Sequence, residues 1–383
     1  MRSTANPCLL RFGRIGDMVL QSVLLHLLSR RYGQACALFG AGTWSQELFA
    51  AAPEVARVEC LRWRHAPFAL NPEHWHLIAQ LRNMSGPIYV SEDVPRQLDK
   101  IKWLLRHAGI AEERCVFPTA QTLDAPHWVD RLNLLGTLTP RAFEGHVRDA
   151  DRDDFWSAPR LHVAYADRRD CARWTAARDW TGTPLVLIQP GNRRSMRRFG
   201  SRKSDPKAWP PQHWFAVLRF VRERVRNAQI LLCGAPSESR MLEQLRASSG
   251  VDRVDVMTHQ LPLRRFMALA ERAHSMISID TGPAHIAAAV GCPLVVLYGP
   301  EQVSCWRRRS PFDVPIVELG GKPESASVKQ LGPEVVMEAW SSIVSVRRSH
   351  NSPTSSERNS DAPSGYRKSE AEKNVSRINS IRA

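Results

Sequence analysis

Two short stretches carry residue types that could make and break bonds, and each follows an apolar run. The first is Arg11-Phe-Gly-Arg-Ile-Gly-Asp17. Gly13 and Gly16 permit close approach of a backbone or a ligand. Asp17 then opens a helical pattern. As a cap it accepts backbone N–H groups. At the carboxyl edge of a parallel sheet, where the helix dipole favours its charged form, the same carboxylate suits a general base. The two readings are compatible. The dinucleotide fingerprint Gly-x-Gly-x-x-Gly is absent, because Phe12 and Arg14 flank Gly13.

The second stretch is Ser278-Ile-Asp-Thr-Gly-Pro-Ala-His285. Pro283 suits a first helical turn. The N–H groups of Thr281, Gly282 and Ala284, with the Thr281 hydroxyl, form a site for a phosphate. His285 points from that turn toward the same edge. The alternative is structural: Asp280 caps the helix, His285 is packed, and the small residues Ala287–Gly291 make a tight packing face. A third stretch, from Gly191 to Pro210, carries seven cationic side chains and one acid. It is either a solvated loop or a clamp for a diphosphate or a phosphorylated acceptor, with Arg193, Arg194, Lys203 and Lys207 as candidate contacts. Asp149-Ala-Asp151 has the form of a metal-holding pair, but it lies outside any strand-to-loop context and reads as a solvated loop.

These pieces need strands that end where they begin. Cys8–Phe12, Ala35–Phe39, Val55–Leu61 and Pro87–Val90 read as strands. Asp17–Tyr32, Trp44–Ala52, Pro72–Leu81 and Arg96–Ala108 read as helices, the first closed by Gly33 after Arg30 and Arg31. Residues 144–179 are polar and lack long apolar periodicity. A second series follows, opened by Pro184-Leu-Val-Leu-Ile-Gln-Pro190, with strands at Gln229–Cys233, Val254–Met257, Ser275–Ile279 and Leu294–Tyr298. Between them lie helices at Trp214–Arg224, Ser237–Ala247, Leu263–Arg272 and Ala284–Val290, with Pro333–Val346 last. This alternation predicts α/β architecture in two doubly wound domains. Residues 1–165 form the first, 166–182 a linker, 183–346 the second, and 347–383 a disordered basic tail.

The chain has 383 residues and a net charge of +15. That balance points to anionic partners without choosing among them. No nucleic-acid motif accompanies the charge, so a nucleic-acid partner is not expected. Eight scattered cysteines form no C-x-x-C pair, which predicts reduced thiols and no zinc site. No signal peptide and no spanning segment are read, which predicts a cytoplasmic protein.

Taken in order, the motifs resemble the bacterial ADP-heptose:lipopolysaccharide heptosyltransferase family, glycosyltransferase family 9. Asp280–Pro300 follows the family pattern nearly position for position. Leu9–Tyr32 looks like its Gly-Asp segment opening a Leu-rich helix. Lys207-Ala-Trp-Pro210 and Gly234-Ala-Pro-Ser-Glu238 match two further elements. The resemblance covers residues 8–345. It implies a GT-B fold, two Rossmann-like domains facing across a cleft, with the last helix crossing back to the first. It implies an inverting, metal-independent transfer from a nucleotide sugar, ADP-heptose, to a lipopolysaccharide-core acceptor, with no cofactor. Asp17 is then the base, and Gly13, Arg14 and Gly16 border the acceptor. Lys207, or Lys203 in its place, binds the diphosphate with Thr281 and Gly282. Asp280 and His285 shape the pocket, and Glu238 binds the donor ribose. Arg193, Arg194, Arg197, Arg198 and Arg307–Arg309 are candidate contacts for an anionic inner-membrane surface. No second catalytic carboxylate is evident beside Asp17. After Gly299-Pro300 the sequence departs from the family, which keeps a different sugar or a protein acceptor open. A catalytically silent, anion-binding adaptor on the same fold is the competing class.

Overall fold

A computed structural model describes residues 6–62, 71–192 and 205–350, with the side chains of the last helix described through residue 345. The chain forms two parallel sheets. In the first, β1 (Cys8–Arg11), β2 (Cys36–Ala41), β3 (Val55–Leu61), β4 (Ile88–Val90) and β5 (Cys115–Val116) lie in the order β3-β2-β1-β4-β5. The helices of this half are α1 (Ile15–Tyr32), α2 (Trp44–Phe49), α3 (Pro72–Arg82), α4 (Pro95–His107), α5 (Ala120–Asp124) and α6 (Trp128–Thr137).

In the second sheet, β6 (Leu185–Gln189), β7 (Gln229–Cys233), β8 (Val254–Met257), β9 (Ser275–Ile279), β10 (Leu294–Gln302) and β11 (Ile316–Lys322) lie in the order β11-β10-β9-β6-β7-β8. Its helices are α7 (Tyr165–Ala176), α8 (Pro211–Arg224), α9 (Ser239–Ser249), α10 (Leu263–Arg272), α11 (Gly282–Ala289), α12 (Val303–Trp306) and α13 (Pro333–His350). Parallel strands are covered on both faces, so they read as unbroken apolar runs. Leu294 to Tyr298 are all fully buried.

The strand order reverses beside β1 in the first sheet, whose other neighbour is β4, and beside β6 in the second, whose other neighbour is β9. Loops leaving such a pair diverge and open a crevice at the carboxyl edge. The crevices are therefore built from the β1 and β4 loops and from the β6 and β9 loops. These loops hold Asp17, Lys207 and Asp280.

Helix α1 is apolar nearly all round because it is sandwiched. Its Leu24, Leu25 and Leu28 belong to a core shared with α6 and with Ala284–Ala289 of α11. Leu24→Ala here would cost about 2–5 kcal/mol. Gly33 closes the helix in the left-handed region, at φ 66°. The expected dipole role of Arg31 is exceeded. The residue is buried and donates to Gly136 O, Leu138 O and Thr139 Oγ1 at 2.6, 3.0 and 2.8 Å.

Several expectations are corrected. The expected linker 166–182 contains α7, which is fastened to α10 by the pairs Arg168–Glu271, Arg264–Asp167 and Arg265–Asp170. It reads as polar because only Cys171, Trp174 and Thr175 are buried. Helices α5 and α6 and the edge strands β5 and β11 escaped the apolar pattern. The last helix does not turn back to the first domain. Its buried Val336, Ala339, Trp340, Ile343 and Val344 sit in the core of the second sheet. That helix reaches His350, so the first residues of the expected tail are helical, and 351–383 lie outside the described residues. Among the described residues, no helix is long and apolar enough to cross a membrane.

Candidate active site

Asp17 occupies the third position of α1, not the cap. The cap residue is Arg14, and Asp17 Oδ2 accepts its backbone N–H at 2.7 Å, satisfying one donor the helix start leaves open. The other oxygen faces Arg11 Nη2 at 3.4 Å. The Asp17 side chain keeps 20% of its surface exposed, and Arg14 is exposed.

Arg11 is the residue that sequence reasoning overlooked here. It is a buried cation at the end of β1, stacked 5.2 Å from the Trp128 ring. It contacts Glu92 at 3.3 Å, Asp93 at 3.2 Å and Ser91 O at 2.6 Å, all in the loop after β4. Two further carboxylates therefore share the Arg11 cluster with Asp17. Glu92 is buried, and burial raises its pKa against the opposing pull of Arg11. The signal was present: two acids follow the run Ile88-Tyr-Val-Ser at the end of β4.

Across the interface, Lys207 sits in a loop pinned on both sides. Asp205 Oδ1 accepts the Lys207 N–H at 3.0 Å, Val328 N–H donates to Pro206 O at 2.9 Å, and Trp209 Nε1 donates to Leu331 O at 2.9 Å. This explains the spacing of Lys207-Ala-Trp-Pro210: the tryptophan anchors the loop, and Pro210 precedes α8. Lys207 is not free. Its Nζ lies 2.6 Å from Asp280 Oδ2 and 2.8 Å from Glu301 Oε1. Asp280 is also gripped by Arg308, whose guanidinium is wholly buried. Burial alone would raise the Asp280 pKa; Arg308 and then Lys207 outweigh it and hold the carboxyl far below its usual range.

The start of α11 differs in one detail from expectation. Ala284 N–H donates to Thr281 O at 3.2 Å, so it is not free for a phosphate. The Thr281 hydroxyl donates back to Ile279 O at 3.3 Å. His285 is buried and stays neutral, because burial and then Arg308 push its pKa well below the ordinary value. Glu238 stands at the end of β7. Its Oε2 accepts Ala235 N–H at 2.8 Å, its Oε1 is buried without a partner, and burial raises its pKa. A side chain at Gly191 would run into that carboxylate. Arg193, Arg194, Arg197, Arg198 and Lys203 lie outside the described residues.

The two helix starts touch. A Cβ at Gly16 would lie 2.8 Å from His285 Cδ2, and one at Gly282 would lie 2.8 Å from Ile15 Cβ. A Cβ at Gly13 would collide with the Asp17 side chain. Gly16 and Gly282 thus serve close packing between the two helix starts, and Gly13 leaves room for the Asp17 side chain. The interface is reinforced by a segment after β10. His127 Nε2 bonds Arg307 O at 2.7 Å, Arg309 makes a two-pronged pair with Asp130 at 2.7 and 2.9 Å, and Trp306 packs 5.5 Å from Trp128. Arg307 pairs with Glu318. In the run Arg307–Arg309, expected at a membrane surface, Arg308 is buried against Asp280, Arg309 pairs with Asp130, and Arg307, paired with Glu318, stays 66% exposed.

Comparison with known proteins agrees with this layout. The sequence model described as glycosyltransferase family 9 (heptosyltransferase) matches residues 162–331. A lipooligosaccharide heptosyltransferase 2 of Haemophilus ducreyi is 27% identical over 308 residues, 76% of this chain and 82% of its own length. A glycosyltransferase family 9 structure from Veillonella parvula superposes with a TM-score of 0.69 at 13% identity, covering 90% of this chain and 98% of that one. E. coli ADP-heptose lps heptosyltransferase II gives 0.65 at 18% identity, with coverage of 90% and 99%. Those structures share the fold of two parallel α/β domains, GT-B. Residues 162–331 thus match the glycosyltransferase family 9 model, and the chain is a glycosyltransferase of the GT-B fold.

Proposed function

We propose that the chain transfers a heptose from ADP-heptose to an anionic lipopolysaccharide-core acceptor, with inversion at the anomeric carbon. The observation that carries this reading is the apposition of the two helix starts. Asp17, a partly exposed carboxylate, lies on one helix start, and the other, at Thr281 and Gly282, follows Asp280, which pairs with Lys207. The printed names of the relatives, a lipooligosaccharide heptosyltransferase and an ADP-heptose lps heptosyltransferase, supply the substrate class.

In this scheme Asp17 takes the proton of the acceptor hydroxyl as its oxygen attacks the anomeric carbon. The bond from that carbon to the diphosphate oxygen breaks with its electron pair on the leaving group. Lys207 and the two backbone N–H groups stabilise the departing charge, a task that preorganised donors perform without reorganisation. Arg11 and the Arg14 N–H hold the Asp17 carboxylate in place. With Asp17 as the one base, the transfer is a single displacement, hence inversion. The partnerless Oε1 of Glu238 is suited to accept a ribose hydroxyl. A lipid-linked acceptor brings the chain to the cytoplasmic face of the inner membrane as a peripheral protein.

The test is transfer from ADP-heptose to a deacylated core acceptor by wild type and Asp17→Asn. We expect the variant to lose about 10²–10⁴-fold in kcat, the usual value of a general base, with nucleotide affinity retained. Full activity of the variant would refute the base. No turnover of any ADP-, GDP- or UDP-sugar by wild type would refute the function.

A further inference from the structure

No motif marks Arg308, yet it dominates the charges at the donor edge. Its side chain has no exposed surface. One guanidinium nitrogen meets Asp280 Oδ1 and another meets the Tyr298 hydroxyl. Its backbone N–H donates to Glu318 Oε1 at 2.7 Å. Glu318 also pairs with Arg307. Among the described residues, Asp280 is the carboxylate that the Arg308 guanidinium contacts as an ion pair.

We infer that Arg308 is a positioning residue for the donor diphosphate: by holding Asp280 it leaves the charge of Lys207 available to the leaving group. This rests on the reading that Lys207 meets the diphosphate. Lys207 Nζ is shared by two carboxylates, Asp280 at 2.6 Å and Glu301 at 2.8 Å. One ammonium against two carboxylates leaves a net negative charge, which repels a diphosphate. Arg308 adds a second cation from beneath and brings the set to neutrality. Being planar, the guanidinium also fixes the Asp280 carboxylate, with Oδ2 aimed at Lys207.

The two counter-ions of Lys207 are not equivalent. Asp280 is engaged through both oxygens, to Arg308 and to Lys207. Glu301 is engaged through Oε1 alone; its Oε2 is buried without a partner, a state that costs free energy. Glu301 is therefore the ligand that Lys207 releases when a phosphate oxygen arrives, and Asp280 is the one it keeps. Glu301 competes with the donor, and Arg308 offsets that competition.

Calorimetric titration with ADP tests this on the full chain and on R308M, E301Q and the double variant R308M/E301Q. R308M should weaken ADP binding about tenfold or more, as expected for a partly desolvated charge a few ångströms from its target, and in turnover should raise the donor KM more than it lowers kcat. E301Q should tighten binding several-fold, and the double variant should bind ADP better than R308M. A purely structural Arg308 gives no such rescue. R308M within twofold of wild type, or a double variant no better than R308M, overturns the inference. Should R308M fail to fold, E301Q decides: tighter binding supports the inference, and unchanged or weaker binding overturns it. If wild type binds none of ADP, GDP and UDP, the donor reading itself falls and the inference with it; binding by wild type with the variants unmoved defeats the inference alone.

Discussion

Gly16→Ala probes whether contact between the two helix starts is the working geometry. The new Cβ would sit 2.8 Å from His285 Cδ2 and 3.3 Å from Nε2. Ordinary carbon contacts begin near 3.5 Å, so about 0.7 Å must be found. His285 cannot easily supply it. The ring is 7% exposed, lies on a helix whose Ala284 and Ala287–Ala289 are buried, and has Trp306 6.5 Å away. The strain is that of an overpacked core, about 1–3 kcal/mol. For an unfolding unit of about half this chain that lowers Tm by roughly 2–4 °C per kcal/mol. If the strain is relieved by separating the helix starts, Asp17 recedes from the Thr281–Gly282 edge. A misplacement near 1 Å costs about 10²-fold in rate. The expected result is a modest loss of Tm with kcat lowered by about 10-fold to 100-fold in the transfer assay. Gly33→Ala is the control. It places a side chain in the left-handed region at φ 66° with no atom within 4 Å of the new Cβ, so it should cost about 1 kcal/mol of stability and spare kcat. Gly16→Ala with kcat within twofold of wild type, at any Tm, would refute the claim that catalysis needs the helix starts in contact.

Two further predictions concern the donor and the interface. For an acid whose folded pKa is raised, there is no penalty below the unfolded value, and the penalty grows as pH rises through the folded one. Glu238 is such a group; Glu238→Gln should therefore raise Tm at pH 7 but not at pH 4, while weakening ADP binding, and a lower Tm at pH 7 would contradict the burial argument. Asp130→Asn removes the two-pronged partner of Arg309 across the domains. Both groups are about one-third or more exposed, so thermal denaturation should show a loss of no more than about 1 kcal/mol, and a much larger loss would mean that the pair governs domain closure.

Much of this protein was legible in its sequence, for a definite reason. A parallel strand covered on both faces must be apolar throughout, so β6, β7, β8 and β9 could be bounded almost to the residue. Glycine, proline and an acid after such a strand mark the loop that ends it, which exposed Asp17, Lys207, Asp280 and Thr281–Gly282. The short edge strands β5 and β11, and α7 with its narrow buried face, carry too little periodic signal to be read.

What the sequence could not decide is which charges face one another. Arg11 is far along the chain from Glu92 and Asp93, and β1 meets β4 through pairing that no local pattern encodes. Arg307–Arg309 looked like one basic patch. Tertiary structure sends the three to Glu318, Asp280 and Asp130. Residue types and their spacing along the chain determined where each loop ends and what it offers. Packing of the two sheets determined which cation is buried against which carboxylate, because only burial makes that choice energetically decisive.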